Sequence, residues 1–209
     1  MVQKEPKRRG RPRAYDPDVA LARAIESFWQ AGYAATSLDD LSEATGMNRP
    51  SLYGAFGDKH DLYLSALAHY WELSRAAMRE ALAYDRPLRE ALQRVYRLAL
   101  SSYLSGRTGP RGCFAISTAT TEAVRDAKIR TSLAQGLREI DEAFEARIRF
   151  AKDRGELRRG ADPTALAVVA SAVLHTLALR ARAGASRAAL QAIANAGVDF
   201  ICGSSPPAA

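Results

Sequence analysis

Cysteine is scarce in this chain: two residues, Cys113 and Cys202, among 209. They stand too far apart for metal-ligand spacing and are too few for a disulfide framework. A reducing cytoplasm is therefore the expected compartment. Histidine is also sparse. No two of His60, His69 and His175 have the helical spacing of a ligand pair, so no metal site and no cofactor are expected. No nucleophile–base set and no phosphate-cradling glycine loop is visible, which argues against an enzyme. The basic N-terminus leads into Tyr15, Asp16 and Pro17 rather than an apolar run, so no secretory signal is read. The longest uncharged helical stretch, Pro163 to Leu179, falls short of the ~20 residues a bilayer span needs. It also contains Thr, Ser and His, so it is read as a buried helix with no membrane partner. β-strand alternation and internal repeats are likewise lacking.

What is present is an ordinary folded composition, 47% hydrophobic and 25% charged, which excludes a disordered or fibrous chain. The 30 basic residues outnumber the 23 acidic ones, for a formal charge of +7. An excess of this kind points to a polyanionic partner or an anionic membrane surface. Its position is informative. The first 13 residues hold six basic groups and one acidic, a net +5, and the other 196 residues carry only +2.

Helical patterning runs almost throughout, with about nine segments. Asp16, Pro17 and Asp18 form an N-cap, a first-turn proline and a dipole-compatible acid. Leu21, Ile25, Phe28 and Trp29 then recur at helical period, and Gly32 is a stop. Ser37 with Asp40 reads as a capping-box variant opening a short second helix. Gly46 is a turn. Asn48 caps a third short helix, with Pro50 in its first turn. Gly57 and Asp58 separate it from a fourth helix running to about Tyr84. A fifth begins at Pro87, and the segment from Ser105 to Gly112 is the clearest loop. A short helix follows from Cys113 to about Val124. Ile129, Leu133, Leu137, Ile140, Phe144 and Ile148 then mark a long one. Two further helices, from Thr164 to about Ala183 and from Ser186 to about Ile201, are rich in alanine.

Two short helices on a tight turn, packed against a longer preceding helix, match a helix-turn-helix. The run from Thr36 to Lys59, with Ala44-Thr45-Gly46-Met47-Asn48 at its turn and Leu52-Tyr53-Gly54-Ala55-Phe56-Gly57-Asp58-Lys59 at its end, resembles the TetR family of transcriptional regulators. The motif resemblance is dense over Asp16 to Leu67. Beyond that the all-helical layout and the length agree. Many relatives carry larger polar groups where this chain has Gly54 and Ala55.

The resemblance implies an all-α fold: an N-terminal three-helix DNA-binding domain and a C-terminal helical ligand-binding and dimerisation domain. Expected bounds are a disordered basic arm at 1–13, the head at 14–60, the larger domain at 61–202 and a flexible tail at 203–209. It also implies a homodimer, a pseudo-palindromic double-stranded operator and a small-molecule effector that releases it. By position, Thr36, Tyr53 and Lys59 are candidate phosphate contacts. Asn48, Arg49 and Ser51 lie at the exposed start of the recognition helix. Arg49, the only charged side chain between Asn48 and Gly57, is the candidate for reading guanine, or else a phosphate contact.

The arm residues Arg8, Arg9, Arg11 and Arg13 flank a Gly-Arg-Pro core similar to an AT-hook. They are expected either to enter an A·T minor groove or to make diffuse phosphate contacts. Cys113 follows a glycine-rich loop at a helix start, where a thiol pKa is lowered. It is either a redox or electrophile sensor or a small buried hydrophobe. Tyr103, Cys113, Phe114, Ser117, Phe144 and His175 are the candidate effector contacts, chosen by placement alone. The alternative to a regulator is a nonspecific DNA architectural protein.

Overall fold

A local cap starts each helix of the N-terminal region. The structure, a computed structural model, describes residues 16–106 and 109–203. Asp16 accepts from the amides of Asp18 (2.9 Å) and Val19 at the start of α1 (Pro17–Ala31). Ser37 and Asp40 close a reciprocal capping box on α2 (Leu38–Thr45). The Asn48 side chain accepts from the Ser51 amide at 2.9 Å to open α3 (Arg49–Phe56). Asp58 and Asp61 form a second capping box on α4 (Lys59–Ala81). Each cap satisfies amides that would otherwise be unpaired and stabilises its helix by about 1 kcal/mol. Short helices of eight residues need this help, because they cannot repay nucleation from their own hydrogen bonds.

The remaining helices are α5 (Leu88–Tyr103), α6 (Phe114–Glu122), α7 (Ala127–Asp153), α8 (Pro163–Arg182) and α9 (Arg187–Cys202). All nine are α-helices, and no strand occurs among the described residues. α4 stops at Ala81, earlier than the periodicity suggests. α7 extends from Ala127, where Asp126 caps its start, to Asp153, beyond its apolar stripe in both directions. Asp126 also pairs with His60 Nε2 at 2.7 Å, tying the start of α4 to the start of α7.

The core is continuous from end to end. α1 buries Ala20, Ala24, Ile25, Phe28 and Trp29 against α2, α4 and α6. Phe28 meets the edge of Tyr63 at 5.1 Å, and Trp29 meets Tyr70 and Phe114 at 5.5 Å. Thr118 donates to the Phe114 carbonyl, so the Tyr63 hydroxyl donates to Thr118 Oγ1 at 2.6 Å. These contacts seat the N-terminal head on the larger helical body. α8 is long and apolar enough to cross a membrane. It nevertheless packs on α5, α6, α7 and α9 and buries Leu166, Leu174 and Leu177. Two expectations are corrected: the helix runs on past Leu179 to Arg182 and so reaches a spanning length, and only its inner face is buried. Its outer face carries Ala165, Val168, Ala172 and Leu179, all exposed at helical spacing. α9 presents a similar stripe of Ala189, Ala192, Ala196 and Phe200.

Candidate nucleic-acid interface and effector cavity

The turn between α2 and α3 is fixed by glycine geometry. Gly46 adopts φ +71° and ψ 17°, the left-handed conformation that other residues reach only with strain. Thr45 braces it from both sides. Its hydroxyl donates to the Leu41 carbonyl at 2.6 Å and accepts from the Met47 amide at 3.3 Å. Leu41, Met47 and Leu52 are buried beneath the turn, which locks the angle between the two helices. α3 thereby shows one face to solvent, where Asn48, Arg49, Tyr53 and Gly54 are exposed and Ser51 is half-buried. A Cβ on Gly54 would meet nothing within 4 Å among the described residues.

Arg49 is not free. Its guanidinium makes a forked contact with Asp39 on α2, with Nη2 at 2.7 Å from both carboxylate oxygens and Nε at 3.1 Å from Oδ1. Both side chains are largely exposed, and such pairs contribute only about 0–1 kcal/mol. The pair orients Arg49 at little cost to exchange. A phosphate or a guanine edge offers the same bidentate acceptor geometry.

Two candidate phosphate contacts sit differently from the sequence expectation. Thr36 is a correction: it is 1% exposed, and its hydroxyl donates to the Gly32 carbonyl at 2.6 Å. Its side chain fastens the α1–α2 corner rather than facing outward. Lys59 is half-buried with its ammonium 4.5 Å from the Tyr33 ring centroid. Burial lowers its pKa, with Glu122 and Asp40 pulling the other way. Arg8, Arg9, Arg11 and Arg13 lie outside the described residues. Without the arm, residues 16–60 hold three basic groups against seven acidic, a net charge of −4.

A cavity of about 240 Å³ opens between α4, α5, α6, α7 and α8. Of the sequence candidates it brings together Tyr103, Cys113 and His175. The other three are corrections. Phe114 is fully buried in the aromatic seam with Trp29, Tyr63 and Tyr70. Ser117 donates to the Arg111 carbonyl at 3.3 Å, and Phe144 is fully buried on α7 away from the cavity wall. Sequence reasoning missed Tyr70, Trp71 and Met78 on α4 and Leu137 and Ile140 on α7. The adjacent aromatics Tyr70 and Trp71, on a helix that also caps the head, were the available signal. Trp71 lies flat over Gly136, where any Cβ would collide with the indole.

Cys113 is buried at the start of α6. It caps α6, but it is 6% exposed, and burial pushes its pKa up more than the helix amides and the Tyr70 hydroxyl, 3.0 Å away, pull it down. A second cleft of about 710 Å³ separates the head from the body. Most of its charged groups are already paired within the protein. Arg111 Nη1 meets Glu26 at 2.5 Å, with the guanidinium 3.8 Å above the Trp29 ring, and Arg182 donates to the Trp29 and Arg111 carbonyls. Asp58, His60 and Asp61 bring donor atoms within 4.8 Å of one another. Both aspartates are engaged in their capping box and His60 in its pair with Asp126.

Residues 20–66 match the family described as bacterial regulatory proteins, tetR family, and residues 90–196 match the tetracyclin repressor-like C-terminal domain. The HTH-type transcriptional repressor ComR of Escherichia coli (strain K12) is 33% identical over 188 residues, 90% of each chain. The uncharacterized HTH-type transcriptional regulator YezE of Bacillus subtilis (strain 168) is 33% identical over 148 residues, 71% of this chain and 76% of that one. Among solved structures, a cysteine mutant of the TetR family regulator CifR, complexed with 26-base-pair operator DNA, is similar with a TM-score of 0.81. It shares 34% identity and covers 90% of this chain and 98% of that chain.

Proposed function

This chain belongs to the TetR family of bacterial transcription regulators, and from that premise we propose that it is a homodimeric operator-binding repressor released by a small molecule. It is a DNA-binding regulator and not an enzyme. The observation that carries the finer reading is α3: a braced helix whose exposed face holds Asn48, Ser51, Tyr53 and one steerable cation, Arg49.

In this reading the head, about residues 14–60, lays α3 in the major groove. Arg49 exchanges Asp39 for a base edge or a phosphate, and Asn48, Ser51, Tyr53 and Lys59 contact the backbone around it. The arm, residues 1–13, supplies the positive charge that the head lacks. The body, about residues 61–202, dimerises through the exposed apolar stripes of α8 and α9. Small side chains there let partner helices approach closely, as in a four-helix bundle. The protein works in the cytoplasm, where the chromosome is.

The effector occupies the cavity, and α4 transmits its presence. One helix carries Lys59 at the head and Tyr70, Trp71 and Met78 at the cavity, with ~16 Å between Lys59 and Tyr70 at the helical rise. The ligand acts only through unequal affinity for the operator-bound and released conformations. The raised pKa of buried Cys113 favours this non-covalent route over a thiolate sensor.

Selection of binding sites from fragments of the source genome tests the reading. A recurring pseudo-palindrome is expected. Recovered DNA with no shared sequence would favour a nonspecific architectural protein instead.

A further inference from the structure

The lining of the α4–α8 cavity is electrically neutral. Among the described residues, no Asp, Glu, Lys or Arg side chain contributes to it. Its titratable groups are uncharged near pH 7 as well. Burial raises the Tyr70 and Tyr103 hydroxyls and the Cys113 thiol, which keeps them protonated. Burial lowers His175, against a weaker pull from Asp141, which keeps it unprotonated. A charged guest would lose its hydration and find no counter-ion.

The walls are mostly aliphatic and aromatic, yet two nitrogens stand out. Trp71 Nε1 and His175 Nε2, on two of the lining residues, are buried without a hydrogen-bond partner among the described residues, and a guest reaches either one when a lining side chain shifts aside. Trp71 itself is 5% exposed and offers a donor only. Unpaired buried polar atoms are costly, and a ligand that satisfies one of them binds more tightly for it. A hydroxyl suits both positions, since it accepts from an indole N–H and donates to a neutral imidazole nitrogen. The volume of 240 Å³ equals roughly eight waters at ~30 Å³ each, room for on the order of ten non-hydrogen atoms.

We propose that this cavity takes a small uncharged phenol or alcohol, mostly apolar, whose hydroxyl is read by Trp71 and His175. The proposal rests on the reading of the cavity as the effector site. It adds the chemical class, and it places Trp71 among the specificity-determining residues.

The test is calorimetric titration of the full-length protein with para-ethylphenol, para-ethylbenzoate and ethylbenzene. Para-ethylphenol is expected to bind at least about tenfold more tightly than the anionic para-ethylbenzoate, which must be desolvated without a partner. It is expected to bind about fivefold more tightly than ethylbenzene, the worth of one hydrogen bond. Trp71→Phe removes the indole N–H and should shrink the advantage over ethylbenzene while leaving ethylbenzene binding in place. Ala99→Phe, at the cavity wall, should abolish binding of both.

Equal or tighter binding of para-ethylbenzoate, equal binding of ethylbenzene, no binding at all, or binding that survives Ala99→Phe would each overturn the proposal. Operator affinity measured with and without para-ethylphenol separates the two layers. The expected binding order with unchanged operator affinity upholds the ligand class and removes the effector role.

Discussion

The DNA-facing head and the cavity hang on the same helix but follow opposite electrostatic plans. The head is charged and wet: Arg49 pairs with Asp39, Lys59 lies over Tyr33, and acidic groups outnumber basic ones over residues 16–60. Among the described residues the cavity has no charged lining, and burial keeps its tyrosines, cysteine and histidine neutral. The contrast separates two kinds of recognition. A surface that must trade partners needs weak, exposed pairs that cost little to break. A surface that must enclose a small apolar guest needs shape and one or two unsatisfied polar atoms.

The comparison can be broken first at the joint between the two regions. Phe28 is fully buried on α1 against Tyr63 and Tyr33. Phe28→Ala should cost about 3–5 kcal/mol in urea unfolding and unseat the head. A loss under about 1 kcal/mol would show that the head and body are not welded by this seam.

Glycine to alanine should then give opposite signs in the two regions. Gly136→Ala forces the Trp71 indole aside and should destabilise by about 1–3 kcal/mol, despite the gain in helix propensity. Gly54→Ala meets open space and should stabilise by about 0.5–1 kcal/mol. Matching signs in thermal melts would contradict the packing described for Gly136.

Asn48→Ala removes the α3 cap and should cost about 1 kcal/mol, read by denaturant titration. Arg49→Ala should change stability by no more than about 0.5 kcal/mol, since its pair is exposed, yet weaken binding to the selected operator by about 1–3 kcal/mol. Equal weakening on scrambled DNA would make Arg49 a phosphate contact only.

The smallest effect concerns pH. His175 has its pKa lowered in the fold, chiefly by burial, so the unfolded chain binds its proton first as pH falls. Its contribution to stability is complete above about 6.5 and declines below that value. His175→Phe should flatten this part of the stability profile. The lowered carboxyl pKa values of Asp40 and Asp126 act only at more acidic pH, so they do not mask it.

Much of the head was legible in the sequence because its signals are local. Asp16, Ser37, Asn48 and Asp58 each cap within three residues, and Gly46 marks its own turn. The Asp39–Arg49 pair was not legible, because it bridges two helices whose angle only the buried side chains define. Thr36 was misread for a related reason. A hydroxyl at a corner can face solvent or the preceding helix end, and sequence does not say which.

The cavity was only half legible. Apolar periodicity separates buried from exposed faces but cannot tell a residue at a void from one in solid core. Tyr103, Cys113 and His175 line the cavity, while Phe114 and Phe144 lie in solid core.

Labour is divided within the DNA-binding region: in the proposed function the arm supplies affinity and α3 supplies selectivity. The direct test measures operator and scrambled-DNA affinity against salt for the full chain and for residues 14–209. Removing one phosphate neutralisation should reduce the slope of log affinity on log salt by roughly 0.9. With six basic groups in the arm, truncation should flatten the slope by several units and weaken both DNAs alike, leaving their ratio intact. An unchanged slope, or abolished preference for the operator, would contradict the account.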